Sequence, residues 1–99
     1  MFEDLHKIID ELNILNEQNY RIIKDCFGYI KKNNIQNESS IEPLLDGLLD
    51  IIYTFRNDKV ILLYMQICLY YYNINPENAE DYYQFYLEKL DEYNKTKML

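Results

Sequence analysis

The chain reads as an all-α, single-domain four-helix bundle with a long N-terminal helix. Three observations predict this. Two glycines and two prolines in 99 residues are too few for the tight turns of an all-β domain. Apolar residues make up 48% of the chain, so disorder is not expected. The apolar positions also recur at spacings of three and four, the period of an α-helix face. The length suits one domain, residues 1–99, with a modest core.

Leu5, Ile8, Leu12, Leu15, Asn19, Ile22, Cys26 and Tyr29 form four heptads of alternating a and d positions. That pattern predicts one helix over about residues 2–32. Ile9, Ile23 and Ile30 at e positions widen the stripe, which favours packing against more than one neighbour. Asn19 occupies an a position, where it can set the register of a coiled coil. It also marks a place near Asn16–Asn19 where the helix could break, giving five helices in all.

Residues 33–40 are polar and read as a loop, with Ser40 as the expected N-cap and Pro43 in the first turn of a second helix over 41–56. Its buried side would hold Ile41, Leu44, Leu45, Leu48, Ile51, Ile52 and Phe55. A short turn at Arg56, Asn57 and Asp58 follows, with Asp58 expected to cap a third helix over 59–73. That helix is apolar almost all round and is expected to be the central one. Asn75 as N-cap and Pro76 at N1 start the fourth, over 76–95.

The hairpin at 43–73, followed by Pro76, Glu77, Asn78, Ala79 and Glu80, resembles the boundary between tetratricopeptide repeats. It departs from that family where paired helices cross, because Ile52, Tyr64 and Tyr71 stand where small residues belong. A single repeat would not stand alone.

Eleven tyrosines are present, eight of them after residue 63. With 13 Ile, 11 Asn and 8 Lys against one Ala, this composition matches what A+T-rich codons favour. That drift should also enrich lysine, yet acids outnumber bases 17 to 10, so the net charge of −7 runs against it. Such a chain is not expected to bind nucleic acid directly or to rest on an anionic membrane, and it should be steered toward a basic protein partner. The longest apolar run, Val60–Tyr72, is too short to span a bilayer, and the acidic N-terminus does not read as an export signal. Cys26 and Cys68 are isolated and read as reduced core residues of a cytoplasmic protein.

The acids are not evenly spread. Residues 1–33 carry six acids and five bases, whereas Glu42, Asp46 and Asp50 form an uncompensated ridge at i, i+4 and i+8. Glu77, Asp81, Glu88 and Glu92 repeat the pattern on the fourth helix. Acids in a first turn complement the helix dipole, which accounts for Glu42, Glu77 and Glu80 but not for Asp50, Glu88 or Glu92. Tyr64, Tyr70, Tyr71, Tyr82, Tyr86 and Tyr93 read as core. Tyr83 flanks that core, and Phe85 falls on the acidic side, where an aromatic serves as an interface anchor rather than as core.

No catalytic constellation is visible. His6, the single histidine, has Glu3 and Asp10 at helical spacing, a weak metal set at best and more simply a solvated helix surface. No glycine-rich phosphate loop or EF-hand loop exists, and neither cofactor nor metal is expected. Two functions fit. One is a small inhibitor, such as an immunity protein, antitoxin or phage antagonist, that covers a basic protein surface, for example that of a nucleic-acid-acting enzyme, with carboxylates and aromatics. The plan is loosely similar to the immunity proteins of nuclease colicins, with a local echo at Asp81, Tyr82 and Tyr83 that lacks their following proline. The other is a helical self-association or scaffold module, a homodimer that buries Leu5, Ile8 and Leu12 between copies. The N-terminal helix discriminates: packed on its own domain it favours the inhibitor, projecting it favours the scaffold.

Overall fold

A computed structural model describes the backbone of residues 2–54 and 57–98, and the side chains of 4–54, 57–92, 94 and 95. Among these residues there are four helices and no strand: α1 (Phe2–Lys32), α2 (Glu38–Thr54), α3 (Asp58–Tyr72) and α4 (Pro76–Met98). The expected roles of Phe55 and Arg56, and of Tyr93 as a core residue, lie outside the described residues.

Each junction has a local cause. α1 runs without a break through Asn16–Asn19 and ends in a Schellman-type turn. There Ile35 N–H donates to the Ile30 carbonyl at 3.0 Å, and Asn34 N–H to that of Lys31 at 3.2 Å. Asn34 takes the left-handed position at φ 50°, which asparagine tolerates better than other non-glycine residues. α2 begins earlier than Ser40. Asn37 is its cap, accepting from the Ser39 N–H at 3.1 Å and the Ser39 hydroxyl at 2.8 Å. Pro43 therefore falls inside α2, where it removes one intrahelical bond. Likewise the α3 cap is Asn57 rather than Asp58: its φ of −142° is extended, and its side chain accepts from the Lys59 N–H at 3.0 Å. In both corrections an asparagine upstream won, three residues before Ser40 and one before Asp58, because its amide oxygen reaches the free N–H groups. Asn75 caps α4 as expected, accepting from the Asn78 N–H at 3.1 Å.

Successive helices pack on one another, and α1 also meets α3 while α2 also meets α4. α1 and α4 do not touch among the described residues, so the helices form an open stack rather than a closed ring. The core is built from Ile41, Leu45 and Leu48 of α2 and Tyr64, Ile67 and Tyr71 of α3, all fully enclosed. Ile23, Phe27 and Ile30 of α1 seal one side, Ala79 and Tyr86 of α4 the other. Gly47 permits the close approach of α1 and α2, since a Cβ there would meet Ile23 Cδ1 at 3.0 Å. Lys59 joins α3 to α1 by donating to both Glu17 oxygens, at 2.8 and 2.7 Å, beneath the Tyr20 ring. That hydrogen bond holds the Glu17 carboxyl below its usual range.

Helix length dictates the shape. At 1.5 Å per residue the 31-residue α1 is about 46 Å long and the 17-residue α2 about 26 Å, so roughly 20 Å of α1 must overhang. The overhang is the N-terminal half of α1, because the chain turns back at its C-terminal end. The longest dimension of the protein, 49 Å, is that of α1.

Candidate functional site: an unpartnered heptad face

The face of α1 that packs on the domain is not the heptad stripe. Tyr20, Ile23, Phe27 and Ile30, at b and e positions, are the residues that join the core. The a/d stripe lies about 100° away around the helix and stays in solvent along its whole length. Leu5, Ile8, Leu12, Leu15, Ile22 and Tyr29 are each between 50% and 64% exposed. Cys26, expected in the core, is exposed at its a position, and so is Asn19. The correction has a plain cause: two neighbouring stripes share the same three-four spacing, and only one can face α2 and α3.

The surroundings of this face are asymmetric. The g side carries Asp4, Glu11, Gln18 and Asp25, whereas the e side carries Ile9, Asn16, Ile23 and Ile30. Ile9 is exposed, so over the overhang the apolar strip is wider than a and d alone. Farther along, the stripe borders a shallow groove of about 410 Å³ between α1 and α2, with Asn19 and Ile22 on one wall and Gly47, Asp50 and Thr54 on the other.

The acidic ridges have mixed fates. Glu42 is half-buried and accepts from the Tyr71 hydroxyl and, at 3.3 Å, from the Asn78 amide. Burial, then the Glu42 carboxylate, pushes the Tyr71 hydroxyl up to about 12. Asp46 accepts from the Tyr82 hydroxyl at 2.9 Å, and burial followed by that bond raises the Tyr82 pKa. These two acids thus tie α2 to α3 and α4. Asp50 remains exposed at the groove beside α1. On α4, Glu77, Asp81, Glu88 and Glu92 are exposed, with Lys89 3.8 Å from Glu92. Phe85 is 45% exposed and stands edge-on to Tyr82 with ring centroids 5.6 Å apart.

A second open surface lies on the opposite end of the stack. α3, expected to be enclosed all round, leaves Leu62, Leu69 and Tyr72 exposed on one side. Met65, Leu69 and Tyr72 of α3 and Ala79, Glu80 and Tyr83 of α4 line a mainly apolar groove of about 250 Å³. The spacing of the sequence does not point to this groove, although all-round apolarity in a 15-residue helix signals a second covered face; an uncovered heptad face is what the self-association alternative expects.

Among the described residues no three His, Cys, Asp or Glu side chains come together to hold a metal ion, and no helix is long and apolar enough to cross a membrane. No protein-family model matches the chain, and no curated protein or solved structure is significantly similar to it.

Proposed function

We propose that the protein is a helical self-association module in which the a/d face of α1 pairs with the same face of a second copy. One observation carries this reading: the full four-heptad stripe, from Leu5 to Tyr29, is solvent-facing while the b/e stripe beside it does the work of holding α1 to the domain. Half-exposed Leu and Ile side chains each have about 1 kcal/mol still to gain from burial. Five or six of them per copy supply on the order of 10 kcal/mol in a symmetric pair, against an association cost of about 4–15 kcal/mol. At the low end of that cost the surplus is about 6 kcal/mol, a dissociation constant of some tens of micromolar.

Charge selects the direction. In an antiparallel pair the g residues face one another, setting Asp4 against Asp25 and Glu11 against Gln18. A parallel pair sets the g acids against Ile9, Asn16, Ile23 and Ile30, which avoids the repulsion. It also brings Asn19 to Asn19 and Cys26 to Cys26 at a positions. α1 is close to neutral, whereas residues 34–99 carry 11 acids and 5 bases, so α1 is the part of the chain where two copies meet with the least charge repulsion. Sedimentation equilibrium over roughly 1–200 µM tests the reading, with a dimer expected to fill within that range. Mild oxidation should then give a disulfide-linked dimer through Cys26, since paired a positions place the two thiols within bridging distance. A monomer throughout refutes self-association; a dimer that Cys26 cannot cross-link refutes the parallel arrangement.

A further inference from the structure

We infer that the groove between α3 and α4 is a docking surface for a basic amphipathic helix of another protein. The inference draws on residues remote from the α1 seam and stands whether or not α1 pairs. The two banks of the groove differ in kind. The α3 bank presents Leu62, Met65, Leu69 and Tyr72, with the uncharged Gln66 and Asn73 beside them; the exposed charges of α3, Asp58 and Lys59, stand in its first turn. On the α4 bank Glu80 lines the groove, and Glu77, Gln84 and Glu88 follow at spacings of three and four on the exposed side of α4 beyond it. Glu77, Glu80 and Glu88 make no ion pair among the described residues. Tyr83, 41% exposed, stands between the banks with an apolar ring and a free-facing hydroxyl edge suited to an interface.

An occupant must therefore bring an apolar stripe for α3 and Met65, and a row of Lys or Arg on the flank that meets α4. The α3 bank from Leu62 to Tyr72 is about 15 Å long, which matches two to three turns of such a helix. Charge decides against a second copy of this chain in the same place. The α1 stripe is flanked by Asp4, Glu11 and Gln18 on one side and by Ile9 and Asn16 on the other, with no basic row on either. The open stack explains why the site exists. α3 rests on α1 and α2, and α4 on α2 and α3; among the described residues no helix takes the next position over α3 and α4, and a partner helix there continues the stack. Helix-in-groove docking of this kind takes its affinity from the apolar anchors and its selectivity from the charged flank.

The test uses the full chain and a fluorescein-labelled peptide of about 18 residues made of Leu at helical spacing and Lys elsewhere, with a Glu-for-Lys peptide as control. Fluorescence anisotropy should show binding of the Lys peptide alone, weakened about tenfold when salt is raised from about 0.05 to 0.5 M. Leu69→Ser should weaken it at least about fivefold and the double variant Glu80→Lys/Glu88→Lys about tenfold or more, while Leu12→Asp leaves it unchanged. Leu69 and both glutamates are exposed, so circular dichroism should report an intact fold in each variant. Equal binding of the Glu peptide, or unchanged affinity in the Leu69 and glutamate variants, overturns the inference. Loss confined to Leu12→Asp places the peptide on α1 instead, which also overturns it and leaves the self-association reading to its own sedimentation test.

Discussion

Leu12→Asp isolates the contribution of the α1 seam. In the single chain Leu12 is 53% exposed on the overhanging part of α1, so the change touches nothing in the core. Its cost to the monomer is a helix-propensity difference of at most about 0.7 kcal/mol, confined to the overhang. In a parallel pair the same position faces its copy. Two half-exposed leucines then forfeit about 2 kcal/mol of burial. Two carboxylates about 6 Å apart at an effective dielectric near 20 add roughly 3 kcal/mol of repulsion. The sum of about 5 kcal/mol weakens association by three orders of magnitude or more. Sedimentation equilibrium reads that change directly, and the urea midpoint of the dilute protein should stay where it was. Ile14→Asp is the matched control, because Ile14 is 59% exposed but sits at a c position off the seam. An association constant that survives Leu12→Asp, or falls equally with Ile14→Asp, would refute the reasoning.

Further outcomes follow from the same geometry. Asn19→Leu removes the polar a position and should tighten the pair by about tenfold or change its stoichiometry, read by the same sedimentation series. Tyr71→Phe leaves the half-buried Glu42 carboxylate without its hydroxyl donor and should cost about 1.5–3 kcal/mol of stability in urea titration. Folding holds the Tyr71 hydroxyl at about 12 against an ordinary 10.0, and raises Tyr64 and Tyr82 as well. The folded state therefore keeps protons that the unfolded state releases, and stability should be intact below about pH 10 and fall as pH rises toward 12. Ultraviolet titration of the phenolates should show these tyrosines ionising last. Cys26 should react promptly with a thiol reagent at pH 8 in the monomer, whereas Cys68, buried and pushed up to about 11, should react only on unfolding.

Much of the secondary structure was legible from spacing and punctuation. The three-four recurrence marks α1, the pair Asn75 and Pro76 marks the start of α4, and the lack of glycine and β-turn residues leaves no place for strands. The caps of α2 and α3 were displaced because serine, aspartate and asparagine compete for the same role, and the side-chain bonds made by Asn37 and Asn57 decide between them. The candidate acids divided for a reason that charge spacing cannot supply. Glu42 and Asp46 lie where α2 passes the tyrosines of α3 and α4, whereas Glu77 and Glu88 are exposed on α4. Phe85 has a ring contact with Tyr82, its neighbour three residues earlier on α4.

By itself the sequence determined that α1 is amphipathic on two adjoining stripes and longer than any helix it could lie against. It even held a clue to the overhang, because the b/e stripe turns polar at His6, Asn13 and Asn16, ahead of Tyr20. Which stripe is buried was decided only by the tertiary structure. Helical periodicity states that a face wants cover, but it does not say whether the cover comes from the same chain. Here α2 and α3 are long enough to shield residues 16–30 and take the b/e stripe, so the heptad face is left for a partner.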